Sequence, residues 1–214
     1  RHCRTLARAH YENFPVASRL LPRRLRDPVA AIYAFARHAD DLADEGTAAP
    51  DDRLAALQAW EAALLDTLAG GPAPDPILLA CADSIRRFDL PVPLFQDLIS
   101  AFRQDVTRTR YADFGELMQY CRRSANPVGR LLLRLHGVAD PRREAESDAI
   151  CSALQLINFY QDLRQDILEN DRVYLPQDEL ARFEVSVAAL RDGRDSPALR
   201  RLLRLLSAER PILI

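Results

Sequence analysis

Asp40, Asp41 and Asp44 stand together in the stretch RHADDLADE, and Asn158, Asp162 and Asp166 recur in NFYQDLRQD. Residues four apart project from one face of an α-helix. Asp40 and Asp44 therefore form one ladder of oxygen ligands, and Asn158, Asp162 and Asp166, at i, i+4 and i+8, form another. Like charges at this spacing destabilise an isolated helix. The first ladder is carried on a segment whose other positions (Val29, Ile32, Tyr33, Phe35, Ala36) are apolar. The second has Leu154, Leu156, Ile157 and Phe159 beside it, all expected to be buried. A solvated acidic face accounts for either ladder alone. Two ladders in apolar surroundings, set face to face across a bundle core, would instead form a cavity mouth holding several divalent ions. Oxygen-only ligands suit a hard cation such as magnesium, which bridges carboxylates and phosphate groups.

The elements that must position these groups read as helices separated by proline and polar turns. Asp27-Pro28, an N-cap followed by proline, predicts the start of the helix that carries the first ladder and stops at Gly46. Further helices are predicted over 51–68, 75–88, 91–107 and 113–122, and from after Pro127 to Leu135. Asp140-Pro141 opens a long helix to about Leu168, which carries the second ladder unbroken. Pro176 starts a short helix, and Ser196-Pro197 caps another that runs to Ala208. No alternating strand, repeat or low-complexity tract is present. The reading is all-α and one domain.

Composition agrees with that reading and removes several function classes. The 214 residues are 48% hydrophobic with a net charge of −2, which suits a packed core and provides no basic field for nucleic acid. Seven Gly and 14 Pro, with Ala/Leu/Arg/Glu-rich runs between the prolines, favour helix over strand. Every basic side chain except histidine is Arg, a residue suited to bidentate phosphate recognition. Cys3, Cys81, Cys121 and Cys151 form no CxxC pair or zinc-finger spacing, and are expected to be reduced, mostly buried thiols of a cytoplasmic protein. No run of about 18 uncharged apolar residues exists. The chain starts at Arg1 rather than Met and stops at Ile214, so both ends read as clipped and a targeting signal stays open.

The segment from Tyr33 through Phe35, Ala36, Arg37, Asp40, Asp41 and Asp44 resembles the first aspartate-rich motif of the squalene/phytoene synthase family. Gln155 through Asn158, Asp162 and Asp166 to Arg172-Val173-Tyr174-Leu175-Pro176 resembles the family's second motif and its trailing RxYLP. Between them lie Tyr120-Cys121 and Val128-Gly129, similar to the central YC…VG element. His10, with Asn13-Phe14 and Leu21-Pro22, resembles the N-terminal region that contacts diphosphate. The motifs occur in family order over nearly the whole chain. Ser124 to Arg130 and the Asn-Phe-Tyr-Gln-Asp form of the second motif resemble the bacterial hopanoid branch, the HpnC-type hydroxysqualene synthases. Gln161 stands where many other members carry Arg.

That resemblance implies an isoprenoid-synthase helical bundle around an apolar cavity, with further helices following Ile214. It implies magnesium-dependent ionisation of presqualene diphosphate to hydroxysqualene, with loss of pyrophosphate. The alternative within the class is head-to-head condensation of two farnesyl diphosphates, with NADPH needed only by a full squalene synthase. The alternative of another class is a non-catalytic helical scaffold. Asp40, Asp44, Asn158, Asp162 and Asp166 would hold magnesium, with Asp41 behind them. Arg37 would contact diphosphate or else pair with Asp41. His10, Arg172 and Gln161 fall among the substrate-binding positions, and Gln155 and Asn126 would line the tunnel. Tyr33, Tyr120 and Tyr174 would face cationic intermediates or else pack in the core. The partner implied is a prenyl diphosphate. Peripheral attachment to the inner membrane face, for product release, and contact with other squalene-pathway enzymes stay open. Finally, Leu202, Leu203, Leu205 and Leu206 form an apolar stripe expected to lie uncovered without the helices that follow.

Overall fold

A computed structural model of the chain describes residues 2, 3, 5 and 21–209. Eleven helices run through residues 21–209: α1 Arg23–Asp44, α2 Pro50–Leu68, α3 Pro76–Phe88, α4 Val92–Thr107, α5 Phe114–Ser124, α6 Asn126–Leu135, α7 Pro141–Gln161, α8 Leu163–Asn170, α9 Gln177–Arg182, α10 Val187–Arg191 and α11 Pro197–Arg204. A π-helical turn, Leu205–Glu209, continues α11. Among the described residues the one extended pairing outside the helices is an isolated parallel bridge between Arg110 and Val173. The all-α expectation holds.

Several helix ends lie where local chemistry puts them. Asp75, Asp113, Ser186 and Ser196 each accept a backbone N–H from the first turn of the helix that follows, which satisfies one of the donors that every helix start leaves open. Gly46 and Gly137 follow α1 and α6 with φ of 78° each, the left-handed conformation that suits glycine.

Four expectations are corrected. α1 begins at Arg23 and contains Pro28, because Leu25 is fully buried and draws the preceding turn into the helix. α6 begins at Asn126, with Pro127 as its second residue, where proline's missing N–H costs no helical bond. The short helix α10 has no counterpart in the sequence reading. Finally, the long ladder helix bends at Asp162 (φ −95°, ψ 7°). Backbone bonds continue across the bend, from Asp162 N to Asn158 O and from Asp166 N to Asp162 O, both 2.9 Å.

By its internal packing the chain groups into two compact units. The first comprises residues 1–106 and 130–140, the second 107–129 and 141–214. In the first unit α1 packs on α2 and α3, and Phe35 anchors it. The Phe35 ring stacks on Trp60 at 5.7 Å and meets Phe95 edge-on at 5.3 Å. Leu131 and Leu135 of α6 complete this core. In the second unit Leu163, Ile167, Val173, Leu175, Leu180, Leu190, Leu202 and Leu206 form the core. The stripe expected to lie uncovered is therefore partly sealed, with Leu202 and Leu206 buried. α6 crosses α7 at Gly129, where an added Cβ would lie 2.3 Å from Ser147 Oγ and 2.6 Å from Cys151 Sγ. Only glycine permits that approach.

Cys3, Cys81 and Cys121 are buried free thiols, and Cys151 is half-buried. Burial raises the Cys121 pKa to about 12. The folded protein thus holds this thiol protonated while the unfolded chain ionises it near its ordinary value of 9.0. The sign follows: Cys121 contributes stability below about pH 9 that is lost as pH rises towards 12. A thiol reagent at pH 8 should label Cys151 well before Cys81 and Cys121, which should react only as the protein unfolds. Mass spectrometry of a labelling time course checks this.

Candidate functional site

On α1, at 100° per residue, Tyr33, Arg37, Asp40 and Asp44 share one face opposite Phe35 and Ala39. All four are half-buried, whereas Phe35 and Ala39 are completely buried. Core packing on one side thus fixes the rotation that presents the acidic side. Arg37 lies at the centre of that side. Its Nη1 is 3.3 Å from Asp40 Oδ2, its Nε 2.7 Å from Asp41 Oδ1 and its Nη2 2.9 Å from Glu45 Oε1. The contact to Asp41 is an ion pair without hydrogen-bond direction, since neither buried atom has a hydrogen-bond partner. Burial alone would depress the Arg37 pKa, but Asp40, Asp41 and Glu45 together raise it above its ordinary value. The pairing with Asp41 is the arrangement present here. Asp41 is turned about 100° from Asp40 and is tied to the arginine.

In the second unit the ladder spans the α7–α8 bend. Asn158 and Asp166 are half-buried and Asp162 is exposed. Leu156, Phe159, Leu163 and Ile167 on the inner side seat both helices in the core. Leu154 and Ile157, expected to be buried, are exposed instead, at 54% and 47%, and Ile150 at 60%. They occupy the helix face that borders the ladder rather than the one that faces Leu156 and Phe159. Gln155 is half-buried beside Asn158, and Gln161, the last residue of α7, is exposed.

Behind the ladder lies a buried aromatic cluster. Tyr174 stacks flat on Phe159 at 3.8 Å with 7° between the planes. Tyr120 contacts both rings, at 5.8 and 6.0 Å. Tyr111 packs on Tyr120 and Tyr174 at 5.6 and 5.7 Å. One π face of Tyr174 is thus occupied by Phe159, which is the core-packing arrangement. Arg172 is buried next to this cluster in sequence. Asn126 is buried at the start of α6, its Oδ1 accepting from Ser152 Oγ at 2.9 Å. His10 lies outside the described residues.

The sequence reading missed Phe159 and Tyr111 as members of the cluster, and Arg110, Asp171 and Arg191 as the ties at the end of α8. Residues 109–112 hold the RxYLP segment by backbone bonds: Val173 N to Thr109 O and Gln177 N to Tyr111 O, both 2.9 Å, and Asp178 N to Ala112 O at 3.1 Å. No periodicity marks such pairings. The only signal was the Tyr111 aromatic just before the Asp113 cap.

Among the described residues no three acidic, histidine or cysteine side chains converge to enclose a metal from protein groups alone. Each ladder presents two or three oxygen ligands along one helix edge. That donor set fits magnesium, which takes one or two carboxylates and completes its octahedron with water and substrate phosphate.

The family model for squalene/phytoene synthase matches residues 7–209. The hydroxysqualene synthase of Sinorhizobium fredii is 39% identical over 203 residues, covering 95% of this chain and 68% of that protein. The phytoene synthase of Mycobacterium tuberculosis is also 39% identical, over 181 residues, covering 85% and 58%. The chain thus spans 58% to 68% of the length of these curated relatives. The crystal structure of squalene synthase HpnC from Alicyclobacillus acidocaldarius superposes with a TM-score of 0.86 at 41% identity, covering 95% of this chain and 76% of that one. With both aspartate-rich ladders in place and the match running over nearly its whole length, the chain belongs to the squalene/phytoene synthase family.

Proposed function

We propose that the protein of which this chain is part is a magnesium-dependent hydroxysqualene synthase acting on presqualene diphosphate. The observation that carries the reading lies along α7 and the bend that follows it: an oxygen-ligand edge, Asn158 and then Asp162, beside an exposed apolar stripe, Ile150, Leu154 and Ile157. Such a surface suits a molecule with an anionic head and a long hydrocarbon tail. The similarity to named hydroxysqualene synthases supports the choice of substrate.

In this reading Asp40, Asp44, Asn158, Asp162 and Asp166 hold magnesium. The metal, when bound, neutralises the leaving pyrophosphate. Arg172, Gln161, His10 and Arg37 would orient the diphosphate. The carbinyl C–O bond breaks with both electrons leaving on the diphosphate oxygen. Water then adds to the rearranged carbocation, and its proton passes to solvent. Tyr33, Tyr120, Tyr174, Gln155 and Asn126 would serve to keep other water from the carbocation.

A second reading has sequence support of its own, since the phytoene synthase relative is also 39% identical, over a shorter match of 181 residues. It is head-to-head condensation of two prenyl diphosphates, with NADPH required only if the product is squalene. The test is to incubate full-length protein with presqualene or farnesyl diphosphate, with magnesium, with and without NADPH, and to identify the products by mass spectrometry. Hydroxysqualene from presqualene diphosphate without NADPH supports the first reading. Phytoene-type, presqualene or squalene products from the allylic substrate support the second. A scaffold would give no product, and magnesium with pyrophosphate would leave its melting temperature unchanged, whereas a binding enzyme is stabilised by mass action. No described helix is long and apolar enough to cross a membrane. Attachment to the inner face of the membrane, and contact with other squalene-pathway enzymes, are proposed only as peripheral.

A further inference from the structure

The second ladder ends on a residue in an unusual conformation. Asp171 follows α8 with φ of 50°, a left-handed backbone that glycine adopts freely and a side chain usually avoids. Its N–H and that of Arg172 both donate to the carbonyl of Asp166, a ladder residue. Asp171 is then tied from two directions. Arg110 donates to its carbonyl through Nη1 and to its Oδ1 through Nη2, the latter at 3.1 Å. Arg191, at the end of α10, donates to the same Oδ1. Arg110 is itself anchored by the bridge to Val173 and by its bond to Thr109 O at 2.8 Å.

Stability does not account for the arrangement. Asp171 is 58% exposed and Arg191 51%, and ion pairs this open to water contribute little. Geometry does account for it. The turn at Asp171 lies between Asp166 on one side and Arg172 and Tyr174 on the other. Two arginines from separate segments converge on that turn, gripping both its backbone and its side chain.

We propose that Asp171, acting through Arg110 and Arg191, is a positioning residue that fixes the register between the magnesium ladder and the RxYLP segment. It touches neither substrate nor metal. The proposal rests on the reading that Asp162, Asp166 and Arg172 hold magnesium and diphosphate.

The test uses full-length protein and three variants: Asp171→Gly, Asp171→Asn and Arg191→Gln. Asp171→Gly accepts the left-handed turn without strain and removes the carboxylate. Its melting temperature should stay at or above that of wild type, while kcat falls about tenfold, as expected for misplacement of reacting groups. The magnesium concentration for half-maximal rate should rise several-fold. Asp171→Asn, which keeps one acceptor oxygen, and Arg191→Gln should both fall between Asp171→Gly and wild type. Wild-type kcat and magnesium dependence in Asp171→Gly would overturn the proposal, as would activity losses that follow melting temperature across the series. Calorimetric binding of magnesium pyrophosphate separates the two levels of failure. A wild-type protein that neither binds it nor turns over prenyl diphosphate overturns the functional reading and the positioning role with it. A wild type that binds, beside an Asp171→Gly variant that binds equally and is equally active, overturns the positioning role alone.

Discussion

Asp162→Asn should lower turnover of prenyl diphosphate by at least about a hundredfold, the usual consequence of removing one electrostatic stabiliser of a leaving group. The fold should hardly register the change. Asp162 is exposed and makes no capping bond with its side chain, and the amide keeps its volume. The melting temperature should therefore stay within about 2 °C of wild type. Removing one charge from an i, i+4 ladder with Asp166 also removes a repulsion. Because the lost group is proposed to act by holding metal, excess magnesium should recover part of the rate. Full activity at limiting magnesium would remove Asp162 from the ligand set.

Phe35→Ala should have the largest effect on stability. The ring is completely buried, wedged between Trp60 and Phe95, and it fixes the rotation of α1. Emptying such a site typically costs about 3–5 kcal/mol, or roughly 10 °C in melting temperature for a chain of this size. Activity should fall at temperatures where the protein is still folded, since Asp40 and Asp44 depend on the same helix rotation. Thermal melts combined with rates at 15 °C check both parts. A melting temperature within 2 °C of wild type would show that the neighbouring rings close the cavity.

What the sequence made legible was what is encoded within a few residues. Asp75, Asp113 and Ser196 cap helices where the pattern put them, and the first acidic ladder falls on the helix expected to carry it. Leu154 and Ile157 show the limit of periodicity. It identifies a helix face but not what covers that face, so two leucine-type positions read as core lie in the open. The bend at Asp162 was hidden because no Gly or Pro lies near it and the hydrogen bonds continue across it. Arg110 and Asp171 were out of reach for another reason. They are 61 positions apart, and nothing local marks either as a partner.

The order in which the two units take their residues constrains how the chain can be made. The first unit draws residues 1–106 and then 130–140, with 107–129 assigned to the second. Leu131 and Leu135, fully enclosed in the first unit's core, leave the ribosome only after the 23 residues 107–129 of the second unit. A fragment ending at Val106 would lack two leucines from its centre, leaving unfilled volume and an exposed apolar surface that invites association with chaperones.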